Sequence, residues 1–144
     1  MRRPRGDDGN ALVEFTYLAV LLMVPLVYVM LSVFLVQRAA FGATEAARQA
    51  GRAYALAGDQ ATAQARADAA SALALADQGI TGAEPPKVQC LGPCLSPGSA
   101  VRVTVSYEVE LPVLSALLPT GLRPRIPVTA RHLEVVDVFR QAGS

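Results

Sequence analysis

The chain of 144 residues has no tryptophan, a single histidine and two cysteines, and aromatic residues make up only 6% of it. Charged residues account for 17%, below the ~25% of an ordinary soluble domain. The formal net charge is +1, so the chain as a whole lacks the basic excess of a nucleic-acid-binding protein. About a quarter of the chain is one hydrophobic segment, and the roughly one hundred residues that remain suffice for one small domain.

The motifs of common enzyme sites are also missing. The sequence contains no glycine-rich phosphate loop, no HExxH zinc motif and no recognisable Ser-His-Asp arrangement. His132, near Arg131 and Glu134 on a predicted strand, is better explained as an ordinary strand histidine than as a catalytic base. Glu108 and Glu110 share one strand face, which is typical of a solvated surface. The sequence therefore predicts neither catalysis nor a cofactor.

One long hydrophobic segment dominates the N-terminal third of the chain. From Phe15 to Val36 no residue is charged. At ~1.5 Å per helical residue this segment spans roughly 33 Å, enough for a ~30 Å hydrocarbon core. The rest of the chain is too small and too rich in alanine to bury such a helix. Three arginines precede the segment and favour a cytoplasmic N-terminus, but three more follow it, so basic residues alone do not decide the orientation.

A carboxylate lies inside the first turns of this apolar helix. Glu14 comes five residues after Gly9, which ends the polar leader MRRPRGDDG, and Phe15 follows it. A charge near the bilayer edge costs less than the ~2.5–3.5 kcal/mol at its centre, but it remains unfavourable. Cleavage after Gly9 would free the α-amino group of Asn10 as a partner, in the same chain or for a neighbouring subunit. Without such a partner, Glu14 would simply extend to the interface beside Asn10.

The apolar helix is expected to continue into an alanine-rich stretch, so that one helix covers residues 10–57. Pro25 removes a backbone donor and frees the carbonyl of Leu21, which predicts a kink. Glu45 and Arg48 are spaced as a weak ion pair. The recurring small residues reflect either helix propensity alone or a surface on which another helix packs closely; they are Gly42, Ala43, Ala46, Ala47, Ala50 and Gly51.

A second helix should follow the glycine at position 58. Asp59 is a good N-cap for a helix that runs to about Asp77, and Gly79 is suited to end it. Large apolar residues are few in this segment, so the helix can pack only shallowly.

The chain from residue 80 onward is predicted to form a small β domain. Apolar and polar residues alternate from Val101 to Leu111, which predicts a strand with one buried face. Shorter signals predict strands at 87–91 and 126–138. The last strand loses its alternation near Arg131 and His132, and a β-bulge would restore it. Residues 113–118 could form a helical turn or a loop over the sheet edge. The predicted fold class is α+β, with about three antiparallel strands packed on the long helix.

Cys90 and Cys94 are separated by a short loop that contains Gly92 and Pro93. In an oxidising compartment they would form a disulfide; otherwise they are two free thiols, and a metal site would need more ligands nearby. A disulfide would place the C-terminal region outside the cytoplasm.

The leader with Gly9, then Glu14, Phe15 and the apolar run, resembles the class III signal of type IV pilin-like proteins. A prepilin peptidase cuts such precursors after a glycine, and the fifth mature residue is glutamate, followed by an aromatic residue in the Flp and Tad branch. Over residues 9–56 the sequence, with GNALVEFTYLAVLLMVPLV and AAFGATEAARQAGRAYA, is similar to TadE-like proteins, the minor pilins or pseudopilins of tight-adherence (Flp) pilus systems. Beyond residue 80 only the pattern of strands fits that family.

This resemblance implies a structural protein that is processed after Gly9, begins at Asn10 and helps to assemble or initiate a Tad-type pilus. Residues 1–9 would be a cytoplasmic leader, 10–57 the transmembrane and continuing helix, and 58–144 an extracytoplasmic helix with a small β domain. The implied partners are a prepilin peptidase, other pilin and minor-pilin subunits, the inner-membrane assembly platform and membrane lipid, but not nucleic acid.

The alternative is a signal-anchored or secreted binding module without a role in a pilus. A signal peptidase would then cut near Ala40. The apolar core of an ordinary signal peptide has ~7–15 residues, so the longer segment from Phe15 to Val36 argues against this alternative.

Overall fold

The computed structural model describes residues 8–111, 119 and 124–139. The chain divides into two compact units, unit 1 (Met1–Phe34) and unit 2 (Leu35–Ser144). In chain order the elements are α1 (Asp8–Ala55), α2 (Gln60–Asp77), β1 (Lys87–Leu91), β2 (Ala100–Glu110) and β3 (Arg125–Val135). The predicted α+β class is therefore confirmed.

The part of α1 in unit 1 presents an apolar surface on every side. Its large apolar side chains from Leu12 to Phe34 are between 45% and 73% exposed. The helix is long and apolar enough to cross a membrane, and none of its most apolar window is buried in the structure. These properties fit a single-pass membrane anchor or a signal sequence. Pro25 lies inside α1, which continues on both sides of it; the kink there stays a prediction.

Local hydrogen bonds fix both ends of α2, as the sequence predicts. Asp59 is the N-cap, and its side chain accepts a hydrogen bond of 2.9 Å from the Thr62 backbone N–H. At the other end Gly79 adopts a φ of +69°, and its N–H donates to the Ala76 carbonyl at 2.8 Å. The Ile80 N–H donates to the Leu75 carbonyl at 2.9 Å, which completes a Schellman motif.

The core of unit 2 contains a continuous alanine face on α1. Its residues are spaced three or four apart and are 3% exposed or less. Tyr54 is the one large side chain among them; the others are Ala39, Ala43, Ala46, Ala47 and Ala50. Buried residues of α2 and β2 belong to the same cluster. The small residues of the extension therefore form a packing surface, the second of the two sequence-based interpretations.

Backbone pairing orders the sheet β1-β2-β3, and both pairs are antiparallel. Leu91 pairs with Ala100 at one end of β1 and β2, and β3 pairs with β2 from Val135–Ala100 to Arg125–Glu110 without interruption. The predicted β-bulge near Arg131 and His132 is therefore wrong.

The side chains of β3 alternate between the inner and the outer face of the sheet without a break. Val128, Ala130, His132 and Glu134 are half-buried on it, while Leu133 lies on the exposed outer face. In the sequence the positions of the apolar residues change phase, because the last two residues on the inner face of β3 are polar and the last two on its outer face are apolar. The strand begins one residue earlier than predicted and ends three residues earlier. The prediction for residues 113–118 lies outside the described residues.

Candidate functional site

The four residues that the sequence singles out for processing lie on the first turns of α1. The backbone is helical at Gly9 and Asn10, and the side chains of Glu14 and Phe15 are exposed on the same helix. Asn10 and Glu14 are four residues apart, so they share a helix face about 6 Å apart along the axis. An amino group at Asn10 and the Glu14 carboxylate would therefore lie on neighbouring turns of one face.

Glu14 is the only charged residue between Ala11 and Val36. Two hydroxyls of this stretch bond to the helix itself: the Thr16 hydroxyl donates to the Leu12 carbonyl at 2.8 Å, and the Ser32 hydroxyl donates to the Tyr28 carbonyl at 2.9 Å. The Tyr28 hydroxyl has no hydrogen-bond partner among the described residues. No ion pair or hydrogen bond from another described side chain reaches the Glu14 carboxylate. It is the one charged group of the apolar segment, and a charge is the group most costly to leave unpaired in lipid.

The cysteines close a loop at the end of β1. Cys90 and Cys94 form a disulfide with a Cα–Cα distance of 5.3 Å, the first of the three states that the sequence leaves open. The Tyr54 hydroxyl lies 3.7 Å from the Cys90 sulfur. Sequence reasoning missed Tyr54, although it is the only aromatic residue between Phe41 and Tyr107 and the helical period places it on the alanine face.

A polar groove lies where α1 passes over β3. We call it the α1–β3 groove; it has a volume of about 560 Å³ and is lined by Glu45, Arg48, Gln49, Arg52, His132 and Glu134. Gly51 permits the close approach of the helix, because a Cβ there would lie 3.3 Å from both His132 Cδ2 and Glu134 Cβ. His132 Nε2 lies 3.0 Å from Glu134 Oε2. Glu45 accepts a 2.6 Å hydrogen bond from Gln49 rather than pairing with Arg48 as predicted.

The glutamates of β2 belong to a different cluster on the outer face of the sheet. Arg125 contacts Glu108 at 3.2 Å and Glu110 at 3.1 Å, and all three side chains are well exposed. Exposed ion pairs of this kind contribute about 0–1 kcal/mol each, so they describe a solvated strand face.

Within the described ranges, no three His, Cys, Asp or Glu side chains come close enough together to hold a metal ion. Comparisons of the sequence and of the structure with known proteins matched no family model, no curated protein and no solved structure.

Proposed function

We propose that this chain is a minor pilin or pseudopilin of a Tad/Flp-type pilus, cut after Gly9 by a prepilin peptidase and active in pilus assembly or initiation. The observation that carries the proposal is the lone Glu14 five residues after Gly9, in a helix whose remaining surface is apolar and exposed. Such a helix is stable in lipid or against other apolar helices, and either environment makes an unpaired carboxylate costly.

Processing supplies the missing partner. Cleavage after Gly9 removes the basic leader and creates an α-amino group at Asn10, whose ordinary pKa of about 7.7–8.0 leaves much of it protonated at neutral pH. That amine can pair with Glu14 of its own chain or of an adjacent subunit. A pair between subunits fixes how far one helix slides along the next, because each helix carries only one charge in its apolar segment.

The proposed topology puts the N-terminus in the cytoplasm and unit 2 outside it. The Cys90–Cys94 disulfide supports the second half of this arrangement, because disulfides persist in oxidising compartments. In this proposal the partners are the prepilin peptidase, other pilin subunits, the inner-membrane assembly platform and lipid.

The intact mass of the protein extracted from membranes of its native host, without reductant, tests the processing step. We expect a chain that begins at Asn10 and lacks two hydrogens. Gly9→Leu should keep the leader, because a peptidase site that admits glycine excludes a branched side chain. A normal mature mass from Gly9→Leu contradicts the cleavage site, and a chain that begins near Ala40 identifies a secreted module instead.

The second test concerns Glu14 itself. Glu14→Ala and the uncharged near-isostere Glu14→Gln should be cut normally but should decrease about tenfold in the sheared pilus fraction, because the amine at Asn10 loses its partner. Thr16→Ala is the matched control, since it removes a nearby polar group that bonds only to its own helix. Quantitative immunoblots of membrane and sheared fractions measure the distribution. Equal incorporation of all four proteins would show that Glu14 has no role in assembly.

A further inference from the structure

The β3 strand lies at one edge of the described sheet. It pairs with β2 at all eleven positions on one side. On its other side it has no strand partner among residues 8–111 and 124–139. Pro127 has no N–H to donate, so the edge available for pairing runs over residues 128–135. An unpaired edge of this length presents a row of backbone donors and acceptors to another strand.

The outer face of β3 is apolar along part of this edge. Leu133 is 52% exposed and Val135 is 57% exposed. A strand added to the edge would place its outward side chains directly beside these two residues, since facing side chains on neighbouring strands lie about 5 Å apart. Apolar side chains on that face of the incoming strand would shield both residues from water.

The inner face of the same edge opens into the α1–β3 groove. The groove is lined by no residue of β1 or β2, so it lies on the β3 side of α1, next to the free edge. An added strand would therefore point its inward side chains into this groove.

The charged side chains of the groove differ in whether they have a hydrogen-bonding partner. Both of its carboxylates have partners, since Glu45 accepts a hydrogen bond from Gln49 and Glu134 lies against His132. Arg48 and Arg52 are exposed, and neither forms an ion pair or a side-chain hydrogen bond with any residue that the structure describes. The groove therefore holds two carboxylates and two arginines, and of these only the arginines lack a side-chain partner among the described residues.

We infer that the free edge of β3 is a docking site for an extended segment of a partner protein, whose side chains alternate between acidic and apolar. The acidic residues face Arg48 and Arg52, and the apolar residues face Leu133 and Val135. Main-chain hydrogen bonds to β3 supply the adhesion, and the alternation supplies the specificity, as in other cases of strand addition. A second copy of this chain fits less well, because Glu134 is the only acidic residue of its β3 and already lies against His132.

The test uses the purified full-length protein in detergent micelles and three fluorescent peptides of about eight residues. One alternates Glu and Val, the second alternates Lys and Val, and the third is the Glu-Val peptide with N-methylated backbone amides. Fluorescence anisotropy should show that the Glu-Val peptide binds at least about tenfold more tightly than either of the others. Hydrogen exchange of the β3 amides should slow when it binds.

Charge reversal in the groove provides the matched variants. Arg48→Glu with Arg52→Glu should invert the preference, so that the Lys-Val peptide binds more tightly, while Arg66→Glu on the exposed surface of α2 should leave it unchanged. Circular dichroism checks that each variant is folded. If the double variant unfolds, comparison of the Glu-Val peptide with its N-methylated form still tests whether backbone hydrogen bonds to β3 are needed for binding.

Equal binding of all three peptides would overturn the inference, since neither the peptide's charge nor its backbone hydrogen bonds would then contribute to binding. Slow exchange, without peptide, of the β3 amides that point away from β2 would also overturn it, because the edge would already be covered by the chain itself. Sedimentation that shows dimers blocked by the peptide would assign the edge to a second copy. None of these results bears on processing after Gly9, which is measured separately by mass.

Discussion

Asp59 illustrates how much one exposed side chain can do for local structure. Its carboxylate accepts hydrogen bonds from both the backbone N–H and the hydroxyl of Thr62, at 2.9 and 2.6 Å. Chiefly because of the hydroxyl bond, and then the backbone bond, the pKa of Asp59 lies below its ordinary value of 3.8. The ionised form is thus the one that begins α2.

Replacing this cap should weaken unit 2 in a pH-dependent way. Because the folded-state pKa is depressed, the stabilisation is present above about pH 3.8 and is lost as the pH falls through the lower folded-state value. Asp59→Ala should lower Tm by a few degrees at pH 7, and the difference from the parent should shrink in acid. Asp59→Asn, which can still cap, is the control. A Tm difference that is the same at pH 2.5 and pH 7 would contradict the ionised cap.

The prediction of a bulge from the sequence was wrong at His132 and Glu134. The pattern assigned apolar residues to the inside, so Leu133 and Val135 predicted a change of phase and hence a bulge. The continuous pairing with β2 keeps the phase, and His132 and Glu134 satisfy each other where α1 covers them. The close approach of α1 at Gly51 is a tertiary contact, and it has no local signature in the sequence.

At the scale of elements, the helices were the most predictable part of the chain. Cap residues and the φ-tolerant Gly79 act within one turn of their own position, so their effect can be read locally, and the bounds of α2 agree with the prediction. β1 was also predicted correctly, because the cysteine loop ends it. The partner of each helix face could not be predicted, because alanine suits both an exposed helix and a close contact.

The alanine contact gives a prediction with an internal control. Ala67 on α2 is 0% exposed, whereas Ala65 on the same helix is exposed. Ala67→Leu should destabilise unit 2 by about 1–3 kcal/mol, because the larger side chain forces the packed elements apart. Ala65→Leu should change stability by less than about 0.5 kcal/mol. Urea titrations followed by circular dichroism compare the two, and equal midpoints would show that this face is not tightly packed.

At the scale of the whole molecule, the two units differ in the environment that suits their surfaces. Unit 1 exposes apolar side chains throughout its described length, while the buried cluster of unit 2 extends from Ala39 to Val136 and lies wholly within that unit. In the sequence, the difference in hydropathy alone separates the two units. The α1–β3 groove was beyond prediction, because residues about eighty positions apart in the chain line it.

A chain that starts at Leu35 should therefore fold without unit 1. We expect a single cooperative thermal transition with a Tm within a few degrees of that of the full chain in detergent, because no part of the core is removed. Gly42→Leu in this shortened chain is a useful negative control, since a Cβ at Gly42 would already lie 2.9 Å from Ile80 Cδ1. A broad, non-cooperative transition in the shortened parent would show that unit 1 is needed for folding.

The alanine-built contact also determines how the free energy of unfolding changes with temperature. An alanine side chain removes little apolar area from water, and exposure of apolar area is what raises the heat capacity on unfolding, by about 0.45 cal/mol/K per Å². On α2 only one buried side chain, Leu75, is larger than a serine. Packing of α2 through alanines therefore adds little to the heat-capacity increment of unit 2, and this contact contributes little to the curvature of the unit's stability curve.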